Sequence, residues 1–404
     1  MEFPPSYEAR SLVRILFVNH TAEWSGAEIS LMRLLEGLGR RHSVVVACPS
    51  SGRLPSELRR RGVDWLPILP ITASLRPHPV RTPRALIQIS RAGIGASQIA
   101  RRVRPDVIHA NGLRAGLITA VTARLNQPPI LVQVHDILPR TRFADAVRRT
   151  IIATADAVSA VSDKAAAAFN EGLQRPKAFR THISIDHRRF DPLVLEAGRL
   201  RAERGIGDAP LLAQVAQITP WKGQHVAIEV LAQLREFERS AQLAIVGGVR
   251  FASERFDNEG YERQLHTLVN QLGVSDSVHF VGHREDVPEV MKTADLTLLP
   301  STNEPFGTVA LESMAVGTPP MVSADGGMSE FVEDGISGRV LPREAPGEWA
   351  RAAQSLLDDR RALSRMGDEA IRAASRFTDE RYAREIETVY QSMFEQQARR
   401  TRRR

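Results

Sequence analysis

Cysteine is almost missing from the sequence. The 404 residues include one Cys, Cys48, so an internal disulfide framework and a zinc site built on cysteines are both excluded. Cys48 ends the apolar run VVVAC, where we expect a buried structural thiol rather than a nucleophile. The scarcity of cysteine fits a reducing compartment, and we therefore expect the protein to be cytoplasmic.

Long apolar runs are missing as well. No apolar stretch approaches the roughly 18 residues of a transmembrane helix. The first run, LVRILFV, is short and interrupted by Arg14, which predicts a first strand rather than a signal peptide. With 43 % hydrophobic and 25 % charged residues, the composition indicates a soluble globular protein, and the length suits two domains.

Three signatures of nucleotide and metal sites do not occur. The chain has no G-x-G-x-x-G after a strand, which disfavours a nicotinamide-dependent enzyme. It has no G-x-x-x-x-G-K-[ST], which excludes a P-loop NTPase. No His and Cys residues have the spacing of metal ligands, so we expect no metal.

Acidic residues are scarce in the first half of the chain. Residues 1–190 contain 28 Lys and Arg against 14 Asp and Glu, whereas residues 191–404 contain 26 against 33. Opposite signs suggest two units with different tasks. A basic half suits nucleic acid, an anionic membrane face or an anionic substrate, and a solvated Arg-rich surface explains it equally well.

Short β-branched runs alternate with helical patterns, as is typical of parallel βαβ units. In the first half the predicted strands are 13–19, 43–49, 63–69, 106–110, 130–136 and 157–162. The pattern restarts with 211–218, 242–248, 278–283, 296–301 and 319–325. The sequence therefore predicts two doubly wound α/β sheets joined near residues 186–208, with helices from about Pro346 onward. Ligands of such sheets bind beyond the carboxyl ends of the strands, so the loops there should hold the functional residues.

One such loop is STNEPFGTVALESMAVGTP (301–319). Pro305 suits the start of a helix, which we predict from Gly307 to Val316. The N-terminus of this helix would offer free backbone N–H groups to an anion. Glu304 precedes it and Glu312 lies within it among apolar residues, where a carboxylate is rarely found without a partner. Carboxylates are acceptors suited to sugar hydroxyls.

The stretch EPFGTVALE resembles the E-x-x-x-x-x-x-x-E motif of the retaining glycosyltransferases of the GT-B fold, family four. The resemblance extends over nearly the whole chain. It implies two facing Rossmann-like domains with an interdomain cleft and a helical C-terminus. Residues 11–190 would bind the acceptor and 205–377 the nucleotide-sugar donor, while a helix at about 378–398 would pack back on the first domain. No metal or cofactor is implied, since the nucleotide sugar is a substrate.

The resemblance also implies how the donor is held. Glu304 would contact sugar hydroxyls and Glu312 the nucleotide ribose. Backbone N–H groups of Phe306, Gly307 and Thr308 would meet the sugar and the diphosphate. In QVAQITPWKGQ (214–224), which matches the strand, loop and Lys-Gly of the family, Lys222 would neutralise the diphosphate and support its departure.

The chain departs from the family pattern at Gln217. The family often has Gly-Arg where this chain has Ala-Gln, and Gln217 brings no charge to a phosphate. Arg284 or Arg250 would be the replacement cation. VHFVGHRED (278–286) resembles the loop that reads the nucleobase, although a surface ion pair explains Arg284 nearly as well.

Two loops in the first half face the donor by the same resemblance. SGAE (25–28) follows the first strand, and Gly26 would let the backbone approach a ligand closely. VQVHD (132–136) places His135 after a strand, where it would contact the donor sugar near the reacting carbon. Asp136 would orient the ring or cap a helix. The family's Asn-Gly-Val-Asp is replaced by HISID (182–186), so no role is assigned to that turn.

The implied reaction moves a sugar, expected to be a hexose, from a nucleoside-diphosphate sugar to an acceptor hydroxyl with retention of configuration. The acceptor stays open between a saccharide, a lipid-linked molecule and a small molecule. The absence of Asp-x-Asp disfavours a metal-dependent glycosyltransferase with a single sheet. Paired-acid glycoside hydrolysis is a less favoured rival.

Two hypotheses of a different kind stay open. A non-catalytic GT-B-like protein would use its basic half on nucleic acid or a membrane. A peripheral enzyme would contact the inner face of the membrane through basic stretches such as LRRRG (58–62).

Overall fold

The structure, a computed structural model, describes residues 12–71, 81–123, 128–238, 240–249 and 257–402. The chain divides into two compact units. Unit 1 combines the chain up to Ser184 with the residues from Asp379 onward, and unit 2 is Ile185–Thr378. The C-terminal helix therefore belongs to the same unit as the first half of the chain.

Unit 1 is built on a parallel sheet of seven strands. These are β1 (Arg14–Val18), β2 (Ser43–Cys48), β3 (Asp64–Pro67), β4 (Val107–Asn111), β5 (Ile130–Val134), β6 (Ala157–Ala160) and β7 (Ala178–Arg180). Their order is β3-β2-β1-β4-β5-β6-β7, so the winding direction reverses between β1 and β4. Phe17 of β1 lies opposite Val46 on one side and His109 on the other. The first six strands agree with those predicted, and β7 was not predicted.

Helices cover this sheet because its central strands are apolar on both faces. They are α1 (Gly26–Leu38), α2 (Arg53–Arg60), α3 (Arg81–Val103), α4 (Leu113–Ala123), α5 (Arg142–Thr154) and α6 (Asp163–Asn170). Helix α1 begins where the Glu28 carboxylate reaches back to the backbone N–H of Ser25, at 3.1 Å. This contact satisfies a donor that the start of a helix leaves open.

Unit 2 repeats the design with six parallel strands. These are β8 (Leu211–Val215), β9 (Gln242–Val246), β10 (Val278–Gly282), β11 (Leu296–Leu299), β12 (Pro320–Ser323) and β13 (Arg339–Leu341). The order β10-β9-β8-β11-β12-β13 reverses between β8 and β11. In a doubly wound sheet this reversal opens a crevice at the carboxyl edge, where ligands bind.

The helices of unit 2 pack around a core in which Trp349 is fully buried. They are α7 (Arg199–Arg204), α8 (Gln224–Leu234), α9 (Asn258–Gln271), α10 (Val287–Thr293), α11 (Thr308–Ala315), α12 (Pro346–Asp358) and α13 (Arg360–Ala374).

Helix α14 (Asp379–Arg402) ends the chain and packs on unit 1. Its Tyr382 hydroxyl lies 3.0 Å from the Ser30 hydroxyl of α1 and also contacts the Gln133 side chain of β5. These buried polar contacts fix the helix against both α1 and the sheet. Over the described ranges, no helix is both long enough and apolar enough to cross a bilayer.

Candidate functional site

The loops after β8 and β11 meet at the point where the sheet of unit 2 reverses. Lys222 follows β8, Glu304 follows β11, and the Lys222 Nζ lies 2.6 Å from the Glu304 Oε2. The ammonium also lies over the Trp221 ring, 4.0 Å from its centroid. Both charged side chains are largely buried, at 15 % and 11 % exposure. The structure thus brings two predicted site residues into direct contact although 82 positions separate them.

A close approach of backbone holds the first loop in place. Gly223 has φ of 72°, and a Cβ there would lie 2.3 Å from the Pro300 carbonyl oxygen. The Thr302 N–H donates to the Trp221 carbonyl at 2.8 Å. Only glycine fits this contact without strain, because it has no Cβ and tolerates positive φ. Lys222 is therefore held beside the end of β11.

The second loop turns sharply into α11. Gly307 has φ of 90°, and a Cβ there would lie 2.2 Å from Met328 Cγ. The helix begins at Thr308, one residue later than predicted, and no side chain caps it. Within the described ranges, the N–H groups of Phe306, Gly307 and Thr308 have no hydrogen-bond partner. These open donors beside Lys222 form a place where an anion can bind.

The Phe306 side chain is part of the core rather than of the site. It is 5 % exposed and packs against the rings of Phe331 and Phe377, with centroids 5.1 and 6.2 Å away. Only its backbone N–H remains available to a ligand, and contact of this N–H with a donor stays a prediction.

Glu312 is half-buried on α11. Burial raises the pKa of its carboxyl to about 7, Arg189 opposes the rise, and Asp186 adds to it. The guanidinium of Arg189 also donates to the Glu285 carbonyl at 3.0 Å. Sequence reasoning assigned no role to the turn that ends at Asp186, because HISID departs from the family pattern there. The effect of Asp186 on Glu312 depends on folding that no local motif shows.

The predicted replacement cation, Arg284, is engaged elsewhere. Its guanidinium donates to both Asp286 oxygens, at 2.7 and 2.6 Å, and to Glu203 at 2.7 Å. These carboxylates raise the pKa of the Arg284 guanidinium. The ion-pair interpretation is therefore what the structure shows, and contact of Arg284 with a donor stays a prediction. Arg250, the other candidate, lies outside the described residues.

Gln217 lies in the loop after β8. Its carbonyl accepts from the Gln224 side chain at 2.9 Å, and its own amide has no partner among the described residues. A phosphate role for Gln217 stays a prediction. Across the described ranges, no group of three or more His, Cys, Asp or Glu side chains is placed to hold a metal ion.

In unit 1, a buried hydrogen-bond chain holds His135 after β5. The His135 Nε2 lies 2.7 Å from the Asn111 Oδ1. The Asn111 Nδ2 donates to the Asn19 Oδ1 at 2.8 Å and to the Ala27 carbonyl at 3.2 Å. The Asn19 Nδ2 in turn donates to Glu28 at 3.0 Å. Sequence reasoning missed Asn19 and Asn111, which lie just after β1 and at the end of β4.

This chain determines which nitrogen of His135 carries the proton. Since the Asn111 nitrogen donates to two oxygens, its own oxygen must face His135 and accept from Nε2–H. The Nδ1 lone pair is then the ring's remaining acceptor. Burial lowers the pKa of His135 to about 4, so the ring is neutral at pH 7.

Gly26 opens α1 beside this chain. Nothing lies within 4 Å of the point where its Cβ would be. This space leaves room for a ligand beside the backbone of Gly26. Whether a ligand binds there stays a prediction. The neighbouring Asp136 is exposed, but the protein around its carboxyl displaces enough water to raise its pKa; Arg114 opposes the rise and Glu28 adds to it.

Two family models match this chain. Residues 24–189 match Glycosyltransferase Family 4, and residues 197–373 match Glycosyl transferases group 1. Together they leave only the termini and a short junction unmatched. The chain belongs to the family-four glycosyltransferases of the GT-B fold.

Solved structures of similar proteins have the same fold as this family-four chain. Anabaena HepE, solved in complex with UDP, aligns with a TM-score of 0.79 at 24 % identity, over 94 % of this chain and 100 % of that chain. Sucrose-phosphate synthase of Thermosynechococcus elongatus aligns with a TM-score of 0.74 at 19 % identity, over 95 % and 99 %.

Relatives closer in sequence are named D-inositol 3-phosphate glycosyltransferase. The protein from Stackebrandtia nassauensis is 36 % identical over 198 residues, which cover 46 % of this chain and 44 % of that protein. The protein from Nocardia farcinica is 30 % identical over 294 residues, covering 68 % and 63 %. The chain thus spans between 44 % and 63 % of the length of these two relatives.

We predict that the imidazole of His135 is neutral at pH 7, with its proton on Nε2. The reason is the fixed Asn111 amide together with burial. The measurement is the ¹⁵N chemical shift of both ring nitrogens against pH, where the pKa should lie near 4. Replacing Asn111 by Asp puts a carboxylate beside Nε2 and should raise the His135 pKa. A proton on Nδ1, or a pKa near the unperturbed value of about 6.5, would contradict this arrangement.

A second prediction concerns Glu312. Because its carboxyl ionises near pH 7, and a carboxylate accepts hydroxyl hydrogen bonds better than a neutral acid, nucleotide-sugar affinity should rise with pH. UDP-glucose is the probe, since its diphosphate diester does not titrate in this range. Calorimetry should show binding about tenfold tighter at about pH 8.5 than at about pH 5.5. In Glu312→Gln the affinity should be weaker and nearly independent of pH; an unchanged pH dependence would exclude Glu312 as its source.

Proposed function

We propose that this family-four glycosyltransferase moves a hexose from a UDP-sugar to an acceptor hydroxyl with retention of anomeric configuration. The observation that supports this most directly is the meeting of Lys222 and Glu304 beside the uncapped start of α11. It places a cation, a hydroxyl-binding carboxylate and free backbone donors at one edge of the sheet.

The positive groups suit a diphosphate. Lys222 provides a full charge, and the N-terminus of α11 adds the partial positive charge of the helix dipole. When the bond to the sugar breaks, negative charge develops on the departing phosphate oxygen. Fixed donors that face this oxygen stabilise the charge more in the transition state than in the ground state.

The carboxylates suit the two rings of a nucleotide sugar. Glu304 adjoins Lys222 and would accept from sugar hydroxyls. Glu312 lies about one turn into α11 and would accept from ribose hydroxyls. Lys222 and Glu304 neutralise one another. A donor that has both phosphates and hydroxyls would offer each of them another partner.

The choice of UDP and hexose rests on solved relatives. HepE was solved with UDP and with UDP-glucose. The name of the curated relatives makes an inositol phosphate the first acceptor to try. Retention follows from the family resemblance, with the acceptor attacking the face that the diphosphate leaves. His135 would accept a sugar hydroxyl at Nδ1. Cytoplasmic location and membrane contact remain predictions.

The test begins with thermal unfolding in the presence of UDP, GDP, ADP or dTDP, with NAD as a negative control. At about 100 times its dissociation constant a ligand stabilises the native state by about 2.7 kcal/mol. UDP should raise the midpoint, and Lys222→Ala should abolish the rise. The matched control is Lys177→Ala, which removes an exposed Lys from unit 1 and should leave the rise intact.

Transfer itself is then tested with UDP-glucose and D-inositol 3-phosphate. The anomeric coupling constant of the product, read by proton NMR, should show the α configuration of the donor. A β product would contradict retention. Nucleotide binding without transfer to any acceptor would favour a non-catalytic binding protein, and failure of all four nucleotides to bind would overturn the donor site.

A further inference from the structure

The solvent side of helix α3 carries an unusual pattern of side chains. Five exposed residues of this helix lie three, four or seven positions apart in the sequence: Arg84, Ile87, Arg91, Ile94 and Arg101. Such spacing places them along one face of a helix. We call these five residues the α3 stripe. Its two isoleucines are each 55 % exposed, although large apolar side chains usually face the core.

More apolar surface adjoins the stripe. Leu86, on the same helix, is 57 % exposed, and Leu69, just beyond β3, is 54 % exposed. Leu69 lines a hollow of about 470 Å³ together with Arg91, Ile94 and Gln98. Ile94 of the stripe and Leu69 therefore line one hollow, and Leu86 and Ile87 add exposed apolar surface on the same helix.

The charge of helix α3 has one sign. Helix α3 contains five Arg residues and no Asp or Glu, and two of the Arg lie in its last turn. The Arg residues of α2, the basic stretch first suspected of membrane contact, differ. Arg60 pairs with Glu57, Arg61 pairs with Glu36, and Arg59 lies over the Trp65 ring. The guanidinium groups of this stretch thus interact with nearby side chains, whereas α3 contains no acidic residue that could pair with its own Arg residues.

Apolar and basic side chains on one helix face match the interface of an anionic bilayer. Leu and Ile enter the boundary between headgroups and acyl chains, while Arg binds lipid phosphates. A nucleic acid fits less well, because α3 has no aromatic residue on which bases stack, and the isoleucines would stay in water. We propose that the α3 stripe binds the surface of a membrane containing anionic lipids. This goes beyond the proposed transfer reaction and does not depend on it.

The test is sedimentation of the full chain with vesicles. Vesicles of phosphatidylcholine alone are compared with vesicles that also contain phosphatidylglycerol, at low and at high salt. We expect binding to the anionic vesicles at low salt and its loss at high salt, because surface charges are screened. No binding to anionic vesicles at low salt would overturn the proposal.

The charge contribution is tested with Arg84→Gln/Arg91→Gln. Each Arg near an anionic surface contributes a factor of about five, so the partition coefficient should fall about 25-fold. The matched control is Arg142→Gln/Arg149→Gln, which removes the same charge from exposed positions on α5 of the same unit. An equal loss in both variants would mean that net charge, and not the α3 stripe, drives binding.

The apolar contribution is tested with Ile87→Asn/Ile94→Asn, which leaves every charge in place. Binding should fall at least about tenfold, since the side chains no longer enter the interface. The control is Leu193→Asn/Val194→Asn in unit 2, whose side chains are 91 % and 69 % exposed. Unchanged thermal midpoints confirm that each variant folds.

Two further outcomes would overturn the proposal in favour of another partner. If Ile87→Asn/Ile94→Asn binds vesicles as the natural chain does, and RNA competes with vesicles, the stripe is a general polyanion site. If the natural chain forms dimers without vesicles, and this variant is monomeric, the stripe is an interface between two copies.

Discussion

The ion pair of Lys222 and Glu304, 2.6 Å apart, constrains the two loops that meet where the sheet of unit 2 reverses. Two largely buried charges lose hydration, and removing one partner leaves the other uncompensated. The loops after β8 and β11 must therefore bring Lys222 and Glu304 together with little freedom. Gly223 and Gly307 make this possible, because a side chain at either position would collide with a neighbouring segment.

Buried polar side chains in unit 1 also need partners, but they find them in a different way. There the polar side chains at the ends of β1, β4 and β5 form one hydrogen-bond chain. It runs from the neutral His135 through the amides of Asn111 and Asn19 to the Glu28 carboxylate. Burial keeps His135 neutral, so its free nitrogen is an acceptor rather than a cation. Unit 1 thus presents a neutral acceptor, His135, at its carboxyl edge, whereas unit 2 presents the ion pair of Lys222 and Glu304.

Most strands could be predicted because buried parallel strands are continuous β-branched runs. Strands β7 and β13 were not predicted. Each has only three residues and lies at a sheet edge, where a strand does not need a continuous β-branched sequence. Lys222 and Glu304 could be proposed because each lies in a local motif after a strand. The Asn19–Asn111 link and the charges around Glu312 join distant parts of the chain, and sequence reasoning could not find them. Arg284 shows the opposite case. The loop motif suggested a cation for the donor, whereas the folded chain pairs this guanidinium with Asp286 of the same loop and with the distant Glu203.

The most direct test of this account is calorimetric titration with UDP and, separately, with UDP-glucose. If Lys222 holds the diphosphate, Lys222→Ala should weaken both ligands by about the same factor. If Glu304 holds the sugar, Glu304→Gln should remove the additional affinity of UDP-glucose while leaving UDP bound as well as before or better, because Lys222 is released. If Glu304→Gln instead weakens both ligands equally, or Lys222→Ala weakens neither, the pair is a structural ion pair and the donor lies elsewhere.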